Sequence, residues 1–290
     1  MPNTIALAEN YTDLLDKVYK EASVTSDLVS DSSLIKAGAN ANEIVYPQVE
    51  VSGLGDYDRN SGYTDGSVKL EWKTAKFNYD RGTKISVDVM DDEETFDISF
   101  GMAGAELQRT KVAPEADAFT FATLSGLEGI SIATPATYAN AEEFLAALIV
   151  AKNKMDEDEV PEESRILYAT PTLINGVMAL DTTKSREVLN SFKTVKKVPQ
   201  SRFYTAIDLL DGKTGGEEAG HYAKAEEGKE INFMIVERSA VIKWDKHTAS
   251  DVIDPKNNPD ADSYISKYRK YGIVDAFANK RAGIYLSHKA

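Results

Sequence analysis

The chain has 290 residues, a formal net charge of −14 and no cysteine. That length is enough to bury a substantial core, and the missing cysteines exclude disulfide frameworks, thiolate metal sites and cysteine nucleophiles. The acidic balance argues against a duplex-DNA reader, which needs clustered Lys and Arg for phosphate contacts. No apolar run reaches the roughly 20 residues of a membrane-spanning helix, and no basic and then apolar leader opens the chain, so no membrane partner is expected.

Leu7, Tyr11, Leu14, Leu15 and Val18 recur at helical spacing, which predicts an amphipathic helix over 5–22. The Ser-, Asn- and Asp-rich stretch that follows reads as an extended arm. Residues 43–52 (EIVYPQVEVS) and 67–79 (SVKLEWKTAKFNY) are β-branched and aromatic, with Val68, Leu70 and Trp72 alternating against Lys69, Glu71 and Lys73. They predict the two arms of a long hairpin whose tip is DYDRNSGYTDG, with Pro47 at an edge position because proline cannot donate to a ladder.

Ile85, Val87 and Val89 then share one side of a further strand, and Asp91 with Glu94 marks a helix start. That helix runs to about 125 and is kinked or divided at Pro114. Asn140 with Glu143 caps a helix bearing Phe144, Leu145, Leu148 and Ile149, which closes in the acidic run DEDEVPEE. RILYA reads as a buried strand, and Thr170-Pro171 as the cap and first turn of a helix to Leu180. NFMIVE and AVIKW read as strands about a turn at Arg238-Ser239. The breaker-rich loop DPKNNPDADS precedes two final β-rich runs divided at Asn279-Lys280-Arg281.

The tip invites a calcium reading, since Asp56, Asp58 and Asn60 have the spacing of the first EF-hand ligands. The sixth position, however, is Ser61 rather than Gly, the twelfth is Ser67 rather than Glu, and the flanks are strands. A polar turn is the expectation, and the same holds for Asp260 and Asp262 in their loop. Gly212-Lys213-Thr214 imitates the end of a phosphate loop but has Ile207 where the earlier glycine belongs, and so reads as a flexible turn. His221, His247 and His288 lie far apart without ligand spacing, and no serine stands in a nucleophile elbow. No catalytic residue, cofactor site or metal site is therefore assigned. Residues 184–202 carry Lys184, Arg186, Lys193, Lys196, Lys197 and Arg202 against one acid, Glu187. With DEDEVPEE they are either two solvated faces or complementary patches between subunits.

Taken together, the KVAPEADAFTFATLSG, VPEESRILYATPTLINGVM and YRKYGIVDAFANKRAGIYLSH stretches resemble the major capsid protein of tailed double-stranded DNA bacteriophages, the Hong Kong 97-like fold of the α+β class. The resemblance implies an N-terminal arm over 1–41 and an extended loop with flanking strands over 42–90. It implies a peripheral domain over 91–130 and 241–284, and an axial domain over 131–240 and 285–290. It implies self-association into hexamers and pentamers that close an icosahedral head around double-stranded DNA, without sequence-specific binding. Assembly would take place in the host bacterial cytoplasm, with a portal and, because the chain opens at Met1 almost directly on the arm, a separate scaffolding protein.

Asp56, Asp58, Arg59, Tyr63 and Asp65 at the loop tip are the expected subunit contacts. Lys69, Lys73 and Lys76 are placed for the covalent cross-link some relatives make, but no partner asparagine or catalytic carboxylate is identified, so none is expected. The alternatives are an encapsulin-like bacterial compartment shell and a calcium-dependent binding module.

Overall fold

The computed structural model describes residues 22–30, 36–37, 42–59, 62–90, 104–217 and 219–290. The expected helix over 5–22, but for Ala22, the helix start at Asp91 and the ligand position Asn60 lie outside them. The chain divides into two compact units, residues 31–78 and the remainder.

The smaller unit is a hairpin. Strands β1 (Lys36–Ala37), β2 (Glu43–Val51) and β3 (Val68–Lys76) form one antiparallel sheet in that order. Among the described residues β1 pairs with Ile44 and Val45 only, and Pro47 lies on a part of β2 paired with β3 alone. That is the edge position proline requires.

The larger unit begins with β4 (Tyr79–Asp88), on which Ile85 and Val87, followed by Val89, are half-buried between exposed neighbours. The long helix is divided near Pro114, as its sequence predicts. Gln108–Val112 forms a π-helical turn in which Ala113 N–H bonds Gln108 O, and α1 (Ala113–Ser125) follows with Pro114 in its first turn. The wider turn shifts the bonding register at the position where proline has no N–H to give.

Beyond α1 come β5 (Ser131–Ile132), α2 (Ala141–Glu157), β6 (Arg165–Ala169), α3 (Pro171–Ala179), α4 (Thr183–Asn190), β7 (Thr194–Lys197), β8 (Ile207–Leu209) and β9 (Tyr222–Lys224). The chain closes with β10 (Ile231–Glu237), β11 (Val241–Ile253), β12 (Ser263–Ala276) and β13 (Ile284–His288). Asn140 caps α2 by accepting from Glu143 N at 2.9 Å. The Glu143 carboxylate reaches back to Ala139 N rather than to the cap's own amide, a one-residue departure from the reciprocal box. Thr170 precedes α3 with extended backbone but makes no side-chain cap bond, so Pro171 marks that start alone.

A five-stranded mixed sheet, ordered β5-β13-β10-β6-β7, carries the core on both faces. Ile166, Tyr168, Met234, Val236, Ile284 and Leu286 pack with Phe121 and Leu124 of α1. Leu167, Ala169, Phe233, Ile235 and Tyr285 pack with Phe144, Leu148 and Met155 of α2 and with α3. Burial on both faces explains why RILYA and NFMIVE are nearly continuous apolar runs.

A second sheet, β11-β12-β4, is antiparallel throughout. The two predicted strand pairs divided by short turns are not hairpins. β10 lies in the five-stranded sheet and β11 in the other, and the chain returns between β12 and β13. The 3-10 turns at the two crossings, Arg238–Ala240 and Ala278–Gly283, meet closely. A side chain at Gly283 would stand 3.0 Å from Ala240 Cβ and 3.2 Å from Glu237 Cβ, which glycine avoids.

Candidate assembly surfaces

The register of the hairpin gives it two unlike faces. Residues directly opposite one another across β2 and β3 share a face: Val51 with Val68, Val49 with Leu70, Pro47 with Trp72. All six are exposed, Val51 to 68% and Val68 to 70%. Single exposed apolar residues are ordinary, but a contiguous ladder of them is a candidate contact surface.

The opposite face carries Glu50, Lys69, Glu71 and Lys73, with Lys69 and Lys73 reaching Glu71 at 2.5 and 2.8 Å. Hydrogen bonds from Lys69 and then Lys73 hold the Glu71 carboxyl down at about 2. Two of the three loop lysines that invited a cross-link, Lys69 and Lys73, are thus engaged in a charged triad.

At the tip, Asp58 and Gly62 exchange two backbone hydrogen bonds, 3.2 and 2.8 Å, with Gly62 at φ +79. Gly62 there takes a positive φ, which glycine adopts without steric cost. Asp56, Asp58, Arg59, Tyr63 and Asp65 are all exposed. Tyr57, which the sequence reading left out, tilts against Tyr63 with ring centroids 4.8 Å apart, and Leu54 beside them is fully exposed. The tip is therefore aromatic and apolar as well as charged; the aromatic residues are of the kind enriched at the centre of protein contacts, and the carboxylates of the kind found at the rim.

Half of the charges in the basic and acidic segments are matched within the chain. Arg186 pairs with Asp181, Lys196 with Asp27 at 2.6 Å, and Arg202 with the buried Asp117 at 3.1 Å. In and beside the acidic run, Lys152 meets Glu162, Lys154 meets Asp158, and the buried Arg165 holds Asp156. These bonds draw on the charges that complementary patches between subunits would use.

The phosphate-loop imitation is a turn, as expected, and it is held by its own side chains. Asp211 accepts from the amides of Lys213 and Thr214 and from the Thr214 hydroxyl, which brings its carboxyl to about 2. The amides that would cradle a phosphate are thereby used. A cavity of about 350 Å3 adjoins this turn, lined among others by Arg81, Lys111, Glu115, Asp211, Lys213 and His221. His221 is less isolated than its sequence spacing suggests: at φ +72, its Nδ1 lies 3.5 Å from Glu115 Oε2. Among the described residues, no group of three or more His, Asp or Glu side chains is arranged to hold a metal ion.

No protein-family model matches the chain, and no curated relative matches it in sequence. Its structure, by contrast, is similar over most of its length to assembled shells. The capsid of cyanophage P-SCSP1u superposes with a TM-score of 0.58 at 13% identity, over 93% of this chain and 88% of that one. The mature capsid of bacteriophage PhiM1 gives 0.57 at 12%, over 86% and 82%. The virus-like particle from Pyrococcus furiosus gives 0.59 at 11%, over 97% and 99%. The chain has the Hong Kong 97-like fold that its sequence led us to expect.

Proposed function

We propose that this chain is a major capsid protein, a structural subunit rather than an enzyme, which self-assembles into the icosahedral head of a tailed double-stranded DNA bacteriophage. The observation that carries the reading is the hairpin's exposed apolar ladder, Val51/Val68, Val49/Leu70 and Pro47/Trp72. Along this ladder the sheet is two strands wide among the described residues and buries too little to be stable alone in water, and a neighbouring copy in a shell supplies the missing burial. The net charge of −14 suits a wall that must not cling to packed DNA.

In this reading residues 42–90 are the extended loop with its flanking strands, and Asp56, Asp58, Arg59, Tyr63 and Asp65 touch the neighbouring subunit. Residues 91–130 and 241–284 form the peripheral domain, supported by the β11-β12-β4 sheet, and 131–240 with 285–290 form the axial domain around the five-stranded sheet. Hexamers and pentamers, a scaffolding protein, a portal and enclosed DNA follow from the resemblance. An encapsulin-like compartment is the second reading, since the Pyrococcus furiosus virus-like particle aligns over nearly all of both chains.

Electron microscopy of the protein expressed with and without the scaffolding protein tests the proposal. Closed shells of uniform size are expected, and their contents, DNA or protein, decide between the two readings. A chain that stays monomeric at high concentration and with its scaffold overturns both.

A further inference from the structure

Two acidic residues of α1, Glu115 and Asp117, are buried, and each holds a different one of the two chain segments that lead into residues 31–78. Asp117 is fully buried. Its Oδ1 accepts from Ser23 Oγ at 2.7 Å, Thr25 Oγ1 at 2.6 Å and Thr25 N at 3.1 Å. Its Oδ2 accepts from Val24 N at 2.9 Å and Arg202 Nη1 at 3.1 Å.

The same segment is fastened further along its length. Lys243 Nζ donates to Thr25 Oγ1 at 2.5 Å, Leu28 is fully buried, and Ser30 N donates to Lys243 O at 2.9 Å. Residues 22–30 therefore form a strap tied down up to the last residue before the smaller unit begins.

Glu115 does the same for the returning segment. Its Oε1 accepts from Tyr79 Oη at 3.1 Å and Arg81 Nε at 2.7 Å, and its Oε2 from Arg81 Nη2 at 3.3 Å. Arg81 Nη2 also donates to the carbonyls of Leu210 and His221, at 2.8 and 3.1 Å, which ties the β8–β9 loop into the knot. Burial works to raise the Glu115 carboxyl, and His221, Arg81 and Tyr79 together bring it below the ordinary range.

A buried carboxylate is costly unless it is fully bonded, and an apolar pair would fasten a strand to a helix at lower cost. What carboxylates add is a directional hold on backbone amides and on a guanidinium fork. We infer that Glu115 and Asp117 are positioning residues that act as a twin clamp. Each fixes one root of the 31–78 unit to α1, so that the two roots keep one separation while the hairpin engages a neighbour. The inference rests on the shell reading for its purpose, but not for its geometry.

The test combines amide hydrogen exchange on the unassembled chain with shell formation. Asp117→Asn keeps the shape and one oxygen but turns an NH2 toward the Val24 amide and Arg202. It should speed exchange in residues 22–30 by about tenfold or more while leaving Tyr79–Arg81 and β10 protected. Glu115→Gln should do the reverse, loosening Tyr79–Arg81 and sparing the strap. Each should lower the yield of uniform closed shells, and the double variant should lower it further.

Ser23→Ala, which removes one of the five bonds, gives a milder form of the first result if Asp117→Asn does not fold. Glu106→Gln, at an exposed pair with Arg109 on the turn before the π segment, should change neither readout. Exchange that rises uniformly through the unit, shells of unchanged yield and size, or the same effects from Glu106→Gln would each overturn the clamp. If the unaltered chain forms no shells, the capsid reading fails, and the exchange pattern alone still decides the clamp.

Discussion

Strands β3 and β10 are both rich in apolar residues, yet they meet opposite fates. Every residue of β10 is buried, whereas β3 leaves Val68, Leu70 and Trp72 exposed on one face and a Lys-Glu-Lys triad on the other. One strand completes its burial within the chain, and the other leaves an apolar face exposed. If the chain assembles as proposed, folding stability and assembly reside in different strands, and substitutions should separate them.

The largest effect is expected in the five-stranded sheet. Phe233 is fully buried, with its ring 5.6 Å from Phe144 and 6.1 Å from Tyr285 between centroids. Phe233→Ala should cost about 3–5 kcal/mol, read as a lower urea midpoint of the unassembled chain. A loss under about 1 kcal/mol would mean that the site collapses freely and that the sheet is not a close-packed core.

A smaller effect, with a sign that can be worked out, comes from the buried Lys243 of β11. Burial first, then the like charge of Lys270, brings its ammonium down to about 8. Between that value and the roughly 10.4 of a free lysine, the unfolded chain binds a proton that the folded chain has released, so stability rises with pH across this window. Tyr222, raised to about 12 chiefly by burial, works the other way. Its contribution is present below the unfolded tyrosine value of about 10 and is lost above it. The urea midpoint should therefore rise from pH 8 toward 10 and then turn down. Lys243→Met should abolish the rise, and a rise that persists in that variant would assign it to other groups.

Much of the comparison was legible in the sequence because its signals are local. The alternation of Val68, Leu70 and Trp72, the division at Pro114 and the Asn140 cap each depend on neighbours within a few residues. What stayed hidden depends on distant partners. Asp117 is engaged by Ser23, 94 positions away, and β4 pairs along its whole length with β12. β10 and β11 look like a hairpin from their spacing, but the choice of sheet is made by packing at the two crossings, which no periodicity records. At the loop tip, the sequence gives the charged residues and Tyr63. Tyr57 and Leu54 emerge only once the turn is closed.

The other side of the comparison is tested by Leu70→Asp. With Leu70 already 56% exposed, stability should change by no more than about 0.5 kcal/mol, while closed shells should be lost because a carboxylate enters the apolar ladder. A destabilisation approaching that of Phe233→Ala would show that the face is covered within the chain, and the contrast between the two strands would be wrong.

The smallest effect belongs to the charges at the tip. Arg59 is exposed among Asp56, Asp58 and Asp65, so Arg59→Glu should leave the urea midpoint unchanged. If the tip meets a neighbour, reversal alters the rate of encounter more than the strength of the final contact. Assembly followed by light scattering should then change rate at low ionic strength. The difference should shrink toward 0.15 M salt, where the screening length is about 8 Å. Leu70→Asp should show no such rescue, since salt screens a charge but does not restore apolar burial. Equal assembly rates for Arg59→Glu and the unaltered chain at low salt would remove the tip charges from the contact and leave the apolar ladder to carry it.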